Sequence, residues 1–137
     1  MLSNRAEKWY AGMIKKAAHL GQLSDMPVYK IGAILVHKKG IIGMGYNKKK
    51  THPLQRELNQ YREEGRRDRS YLHAELDCLT GVRDVPNGSI LFIGRLDQTG
   101  HTGMSRPCQA CIHAIRLKGI KEVVYNTPSG YAIERID

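Results

Sequence analysis

Long apolar runs are missing from this chain of 137 residues. No stretch approaches the roughly 20 apolar residues of a membrane-spanning helix, and residues 1–10 contain no apolar segment of the kind a signal peptide needs. The expectation is a soluble, cytoplasmic protein that does not enter a membrane. Cysteine is scarce: an odd count of three is a poor disulfide framework, and a CxxC pair in a reducing compartment points instead to metal or redox work. Aromatics are few, with one Trp and one Phe beside seven Tyr, and this weakens any reading in which successive bases of a nucleic acid stack on the surface. Acidic residues are the minority, 13 against 22 Lys and Arg. The resulting +9 favours anionic partners such as nucleotides or nucleic acid, although a basic face also serves solubility alone. Internal repeats and low-complexity tails are absent as well.

What remains is an ordinary globular composition, 41% apolar and 26% charged, and a length that suits a single domain over residues 1–137. Residues 4–20 read as an amphipathic helix, capped by Ser3 or Asn4, with Trp9, Met13, Ala17 and Leu20 near one face and Gly21 as its stop. Residues 29–37 read as a buried strand, 38–40 as a turn and 41–46 as a returning strand. A long basic insertion follows at about 47–71, with a short helix from Pro53 that Gly65 would end. A helix is predicted over 72–79, a strand over 89–94, a loop over 95–106, a helix from Pro107 to Gly119, and strands over 122–125 and 131–136. Strands alternating with helices argue for a layered α/β domain. The turn at 126–130 is too short for a parallel crossover, so the last two strands must be antiparallel if they pair.

Two short stretches carry the chemistry: His73-Ala74-Glu75 and Pro107-Cys108-Gln109-Ala110-Cys111. Imidazole nitrogen and thiolate sulfur are zinc ligands at neutral pH. Cys108 and Cys111, three apart at a helix start, share a face, and the positive helix end favours their thiolates. His73 supplies a third ligand from another helix start. Three protein ligands leave a fourth position for water, whose pKa then falls to about 7. Glu75, two residues beyond His73, is placed to take that water's proton and return it to a ring nitrogen and a leaving amine. A closed structural site would need a fourth ligand; a second CxxC or an HxxxH pair is absent, and His101 is the one alternative. His113 points elsewhere on its helix, and Cys78 reads as a small buried residue.

H-x-E followed by P-C-x-x-C is the signature of zinc-dependent base deaminases. The chain resembles the cytidine/deoxycytidylate deaminase superfamily over nearly its whole length, and most resembles short phage and bacterial deoxycytidylate deaminase-like proteins. The resemblance implies a three-layer α/β/α sandwich around a five-stranded mixed sheet and one catalytic Zn2+ per chain. It assigns the metal to His73, Cys108 and Cys111 and the acid/base role to Glu75. It also implies a homo-oligomer.

Gly45-Tyr46-Asn47 is similar to a segment in which the Asn contacts sugar or base, so Asn47 takes that role here; a turn residue is the alternative. The Ala74 N–H, at a helix start, suits the base carbonyl. Lys50, Thr51 and His52, in a K-T-H-P-L-Q stretch, are candidates for phosphate contact, with a solvated lysine run as the alternative. Tyr71 either lines the pocket or belongs to the core. The implied reaction is hydrolytic deamination of a free deoxycytidine nucleotide, dCMP to dUMP first, with dCTP or the nucleoside behind it. Two other readings stay open: a deaminase acting on a flipped base in RNA or single-stranded DNA, and a zinc-stabilised binding module without chemistry. The three cysteines leave little for the second, structural zinc of larger deoxycytidylate deaminases, and the short final turn resembles free cytidine deaminases.

Overall fold

The first helix, α1 (Asn4–Gly21), begins where Ser3 Oγ accepts the Ala6 N–H at 3.1 Å, which satisfies one of the orphan donors of the first turn. Its inner face is Met13, Ile14, Ala17 and Ala18, all buried, with Trp9 and Leu20 packed half-buried at its margins. The computed structural model describes residues 2–38, 40–62, 71–96 and 103–137. Expectations that fall on Lys39, on residues 63–70 (including Gly65) or on residues 97–102 (including His101) lie outside the described residues.

Five strands form the main sheet: β1 (Lys30–His37), β2 (Gly40–Tyr46), β5 (Ile90–Leu96), β6 (Glu122–Thr127) and β7 (Gly130–Arg135), in the order β2-β1-β5-β6-β7. All neighbours are antiparallel except β5 and β6. The parallel pair is bridged by helix α4 (Gln109–Leu117), the crossover that parallel strands require. β7 is antiparallel to β6, as the short turn requires, although both strands run closer to the turn than predicted and pair up to Thr127 and Gly130.

Burial on both faces explains why the interior of β1, residues 31–36, is apolar. Ala33 and Leu35, with Leu91, Ile93, Val123 and Tyr125 of the neighbouring strands, face one core, and Ile34 and Val36, with Phe92 and Val124, face the other. The second face packs on α1, where Trp9 meets Phe92 edge to face at 5.4 Å. The first face packs beneath α3 (Ala74–Thr80) and α4, with α2 (Pro53–Leu58) and a single 3-10 turn (Asn59–Tyr61) against α4. The result is the implied three-layer arrangement around a five-stranded mixed sheet.

Boundaries beside both motifs differ from the sequence reading. Leu72 is not the first residue of α3; with Tyr71, the last residue of the expected connection, it forms a two-residue strand, β4 (Tyr71–Leu72), paired with β3 (Lys48–Thr51) in a separate ribbon. Leu72 fits helical spacing with Leu76 and Leu79, but it reaches the core from an extended backbone. Pro107 likewise precedes α4, which starts at Gln109.

Close approach of helix and sheet depends on two glycines. A Cβ at Gly94 would sit 2.6 Å from Ala18 N of α1. One at Gly45 would sit 2.8 Å from the Asp77 carbonyl carbon and 2.9 Å from Ala74 O. Gly45 therefore lets α3 lie directly on β2.

Candidate metal centre

His73 and Cys108 occupy equivalent places: each is the extended N-cap residue of a helix, α3 and α4 respectively, and neither side chain caps its helix. Both side chains are thus released toward the space between the two helix starts. Cys111, in the first turn of α4, is buried at 1% exposure. His73 Nδ1 lies 3.3 Å from Cys111 Sγ and 3.6 Å from Cys108 Sγ. All three donor atoms lie within 4.8 Å of one another. A tetrahedral zinc with ordinary Zn–N and Zn–S lengths separates an imidazole nitrogen from a thiolate sulfur by about 3.5 Å, so donor type and spacing both fit that ion. Among the described residues this is the one cluster of three His, Cys, Asp or Glu donors.

The surroundings hold these residues in place. α3 is tied to the sheet by Asp77, whose Oδ2 accepts the Tyr46 N–H at 3.1 Å and the Lys48 ammonium at 2.7 Å. The segment leading to Cys108 is tied by buried Ser105, which donates to Ile93 O and accepts the Asn126 N–H, each at 2.8 Å. Arg106 adds a bidentate pair with Glu134 of β7, both contacts at 2.9 Å.

Electrostatics divides the thiols. The hydrogen bond from Cys111, opposed by burial and helped by His73, brings Cys108 down to about 3. The Cys108 contact and burial push Cys111 well up. The pair thus favours a thiolate at this place, and a bound cation would favour the thiolate of both sulfurs. Burial pulls His73 down, but its hydrogen bond to Cys108 and the Glu75 charge leave it raised overall. Glu75 is 5% exposed, its carboxyl against Cys111. Burial raises its pKa, with the His73 charge opposing. A buried carboxyl whose proton affinity is raised is suited to accept a proton and return it.

Asn47 is 8% exposed at the end of β2; its Oδ1 accepts the Ile31 N–H at 3.0 Å and its Nδ2 donates to Tyr29 O. One amide hydrogen and one lone pair remain beyond those bonds. Ala74 is fully buried at the start of α3. Lys50 and Thr51 are exposed on β3, and Thr51 lies opposite Tyr71, itself 43% exposed and not a core residue. His52 caps α2, its Nδ1 accepting the Leu54 N–H at 3.2 Å. His113 stacks on Tyr61 with ring centroids 3.8 Å apart. Cys78 is a buried core residue, its thiol pushed up to about 12 by burial.

Sequence reasoning missed two groups. Gln55 and Asn59, fully buried, hydrogen-bond each other at 2.9 Å, and Gln55 Oε1 accepts the His73 N–H at 3.1 Å. Their separation of four residues in a helical stretch was the available signal. Arg95, at the end of β5, lies over the Tyr29 ring at 4.9 Å, and its Nε is buried with no partner among the described residues. Nothing in its sequence neighbourhood signals this.

Residues 5–127 match the family model described as the cytidine and deoxycytidylate deaminase zinc-binding region. A diaminohydroxyphosphoribosylamino-pyrimidine deaminase of Buchnera aphidicola subsp. Schizaphis graminum is 27% identical over 121 residues, which are 88% of this chain and 67% of that protein. Among solved structures, the apo dCMP deaminase of cyanophage S-TIM5 aligns with a TM-score of 0.54 at 23% identity, covering 92% of this chain and 86% of that one. The same cyanophage enzyme in complex with dCMP and dUMP aligns at 0.57 and 23% identity, covering 91% and 83%. At this identity the two structures speak for a shared fold.

Proposed function

The chain belongs to the cytidine and deoxycytidylate deaminase zinc-binding family, and from that premise we propose that it hydrolyses the amine from a free deoxycytidine nucleotide, dCMP to dUMP, with release of ammonia. The observation that carries the proposal is the meeting of His73 Nδ1 with the Cys108 and Cys111 sulfurs within 4.8 Å, beside the buried Glu75 carboxyl.

His73, Cys108 and Cys111 would hold Zn2+. When bound, zinc supplies an activated water in its open fourth position. Glu75 would carry both protons of the attacking water, the first to the ring nitrogen and the second, from the hydroxyl then on the ring carbon, to the departing amine. Water and the aminopyrimidine thus become the pyrimidinone and ammonia, with the carboxyl returned to its starting state. The Ala74 N–H meets the base carbonyl, Asn47 the sugar, and Lys50, Thr51 and His52 the phosphate, with Tyr71 as a wall. His52 keeps Nε2 for that contact, since its Nδ1 caps α2. The +9 charge supports an anionic substrate.

A second reading is favoured by the 27% identical relative, whose name carries a phosphoribosylamino-pyrimidine. Both readings place a phosphorylated pentose on an aminopyrimidine. A panel of deoxycytidine, dCMP, dCTP, short oligonucleotides and the diaminohydroxypyrimidine phosphoribosyl compound, at fixed salt with zinc-loaded protein, separates them. The expected result is fastest loss of amine from dCMP. Turnover of the phosphoribosyl compound alone would establish the second reading, and turnover of none of the cytosine compounds would overturn the first.

A further inference from the structure

Gln55 is a primary amide with 0% exposure in the first turn of α2. Burying such a group is costly unless each end is bonded, and both ends are. Oε1 accepts the His73 N–H at 3.1 Å, and Nε2 donates to Asn59 Oδ1 at 2.9 Å. The His73 N–H matters because residue 73 lies between β4 and α3, where neither a strand ladder nor the helix uses it. An apolar side chain at 55 would leave that donor without its acceptor.

The same segment also grips the other half of the metal centre. Three residues beyond Leu58, Tyr61 stacks on His113 of α4 at 3.8 Å and 16° between planes, and α4 carries Cys111. Residues 53–61 therefore touch His73, the N-cap of α3, through a hydrogen bond and the Cys111-bearing helix α4 through a ring contact. We propose that Gln55 is a positioning residue of the metal centre: through the His73 backbone N–H it fixes where Nδ1 stands relative to Cys108 and Cys111. The inference rests on the reading of those three residues as zinc ligands, but not on the identity of the substrate. Partners one step removed from a metal ligand commonly change affinity by about 10–100-fold.

The test uses the full chain. Zinc affinity is measured by chelator competition, and ligand geometry by the visible ligand-field bands of the cobalt(II)-substituted protein. Gln55→Met, close in volume but without hydrogen bonds, should weaken zinc binding about tenfold or more and shift the cobalt bands. Leu58→Ala should lower thermal stability without moving the cobalt bands. If Gln55→Met does not fold, Gln55→Asn decides, since its shorter arm withdraws the acceptor and should weaken zinc in the same sense. Zinc affinity in the deciding variant equal to wild type, a loss no larger than in Leu58→Ala, or unshifted cobalt bands would each overturn the proposal. None of these readouts needs turnover, so a wild-type protein that binds zinc but leaves dCMP untouched refutes the substrate reading and leaves the role of Gln55 standing or falling on its own data.

Discussion

At the scale of single residues, chemistry and position were separable to different degrees. His73, Cys108, Cys111 and Glu75 were legible because zinc accepts few donor types and because short spacings put donors on one helix face. The contact of Gln55 with the His73 N–H was not, since the two lie 18 residues apart and no local rule links them. Asn47 shows the intermediate case. Its position was legible, but not that its side chain would bridge Tyr29 O and the Ile31 N–H at the mouth of the sheet. Those bonds make a stability claim independent of substrate. Asn47→Ala should cost about 1–3 kcal/mol, because the Ile31 amide loses its acceptor in a part-buried place. Urea unfolding of the two proteins checks this, and equal midpoints would mean that water replaces the bonds without loss.

At the scale of elements, long periodic segments were read well and short ones poorly. α1, β1 and β5 declared themselves through sustained patterns, whereas β4 has two residues and borrowed the helical spacing of Leu72 with Leu76 and Leu79. What the pattern could not carry was pairing: Leu72 stands opposite Lys48 of β3, across a connection whose middle has no apolar period. Helix placement on the sheet likewise depends on absent side chains. Gly45→Ala should lower stability by about 1–3 kcal/mol, since α3 must lift off β2 to admit a Cβ. Gly12→Ala should raise it by about 0.5–1 kcal/mol, because position 12 is exposed in the middle of α1 with nothing within 4 Å of a new Cβ. Thermal melts of the pair should therefore move in opposite directions; movement in the same direction would refute the account of helix–sheet spacing.

At the scale of the whole molecule, the mixed sheet was implied by resemblance and only in part by residues, the short turn before β7 being the one local constraint on direction. The far edge of that sheet reaches the metal centre through Arg106, which clasps Glu134 of β7 while Tyr125 donates to the same carboxylate at 3.2 Å. The Arg106 hydrogen bond holds the Glu134 pKa below its ordinary 4.5. Between the folded and unfolded values the unfolded chain binds more protons. The clasp therefore contributes fully above the ordinary carboxylate value and is lost as pH falls through the lower, folded one. Being part exposed, it is worth about 1 kcal/mol or less. Glu134→Gln should accordingly destabilise at pH 7 and match wild type in strong acid. A stability gap that persists unchanged below the folded value would contradict this assignment.

The layers, the two helix starts and the buried carboxyl converge on one claim, that this chain is a zinc hydrolase of an aminopyrimidine with Glu75 as its proton carrier. Ammonia release from dCMP by wild type and by Glu75→Ala, each with its zinc content measured, tests it most directly. Both proteins should hold about one zinc per chain, wild type should release ammonia in step with dUMP formation, and the variant should be slower by at least about a hundredfold. Undiminished ammonia release from Glu75→Ala at equal zinc content would contradict it.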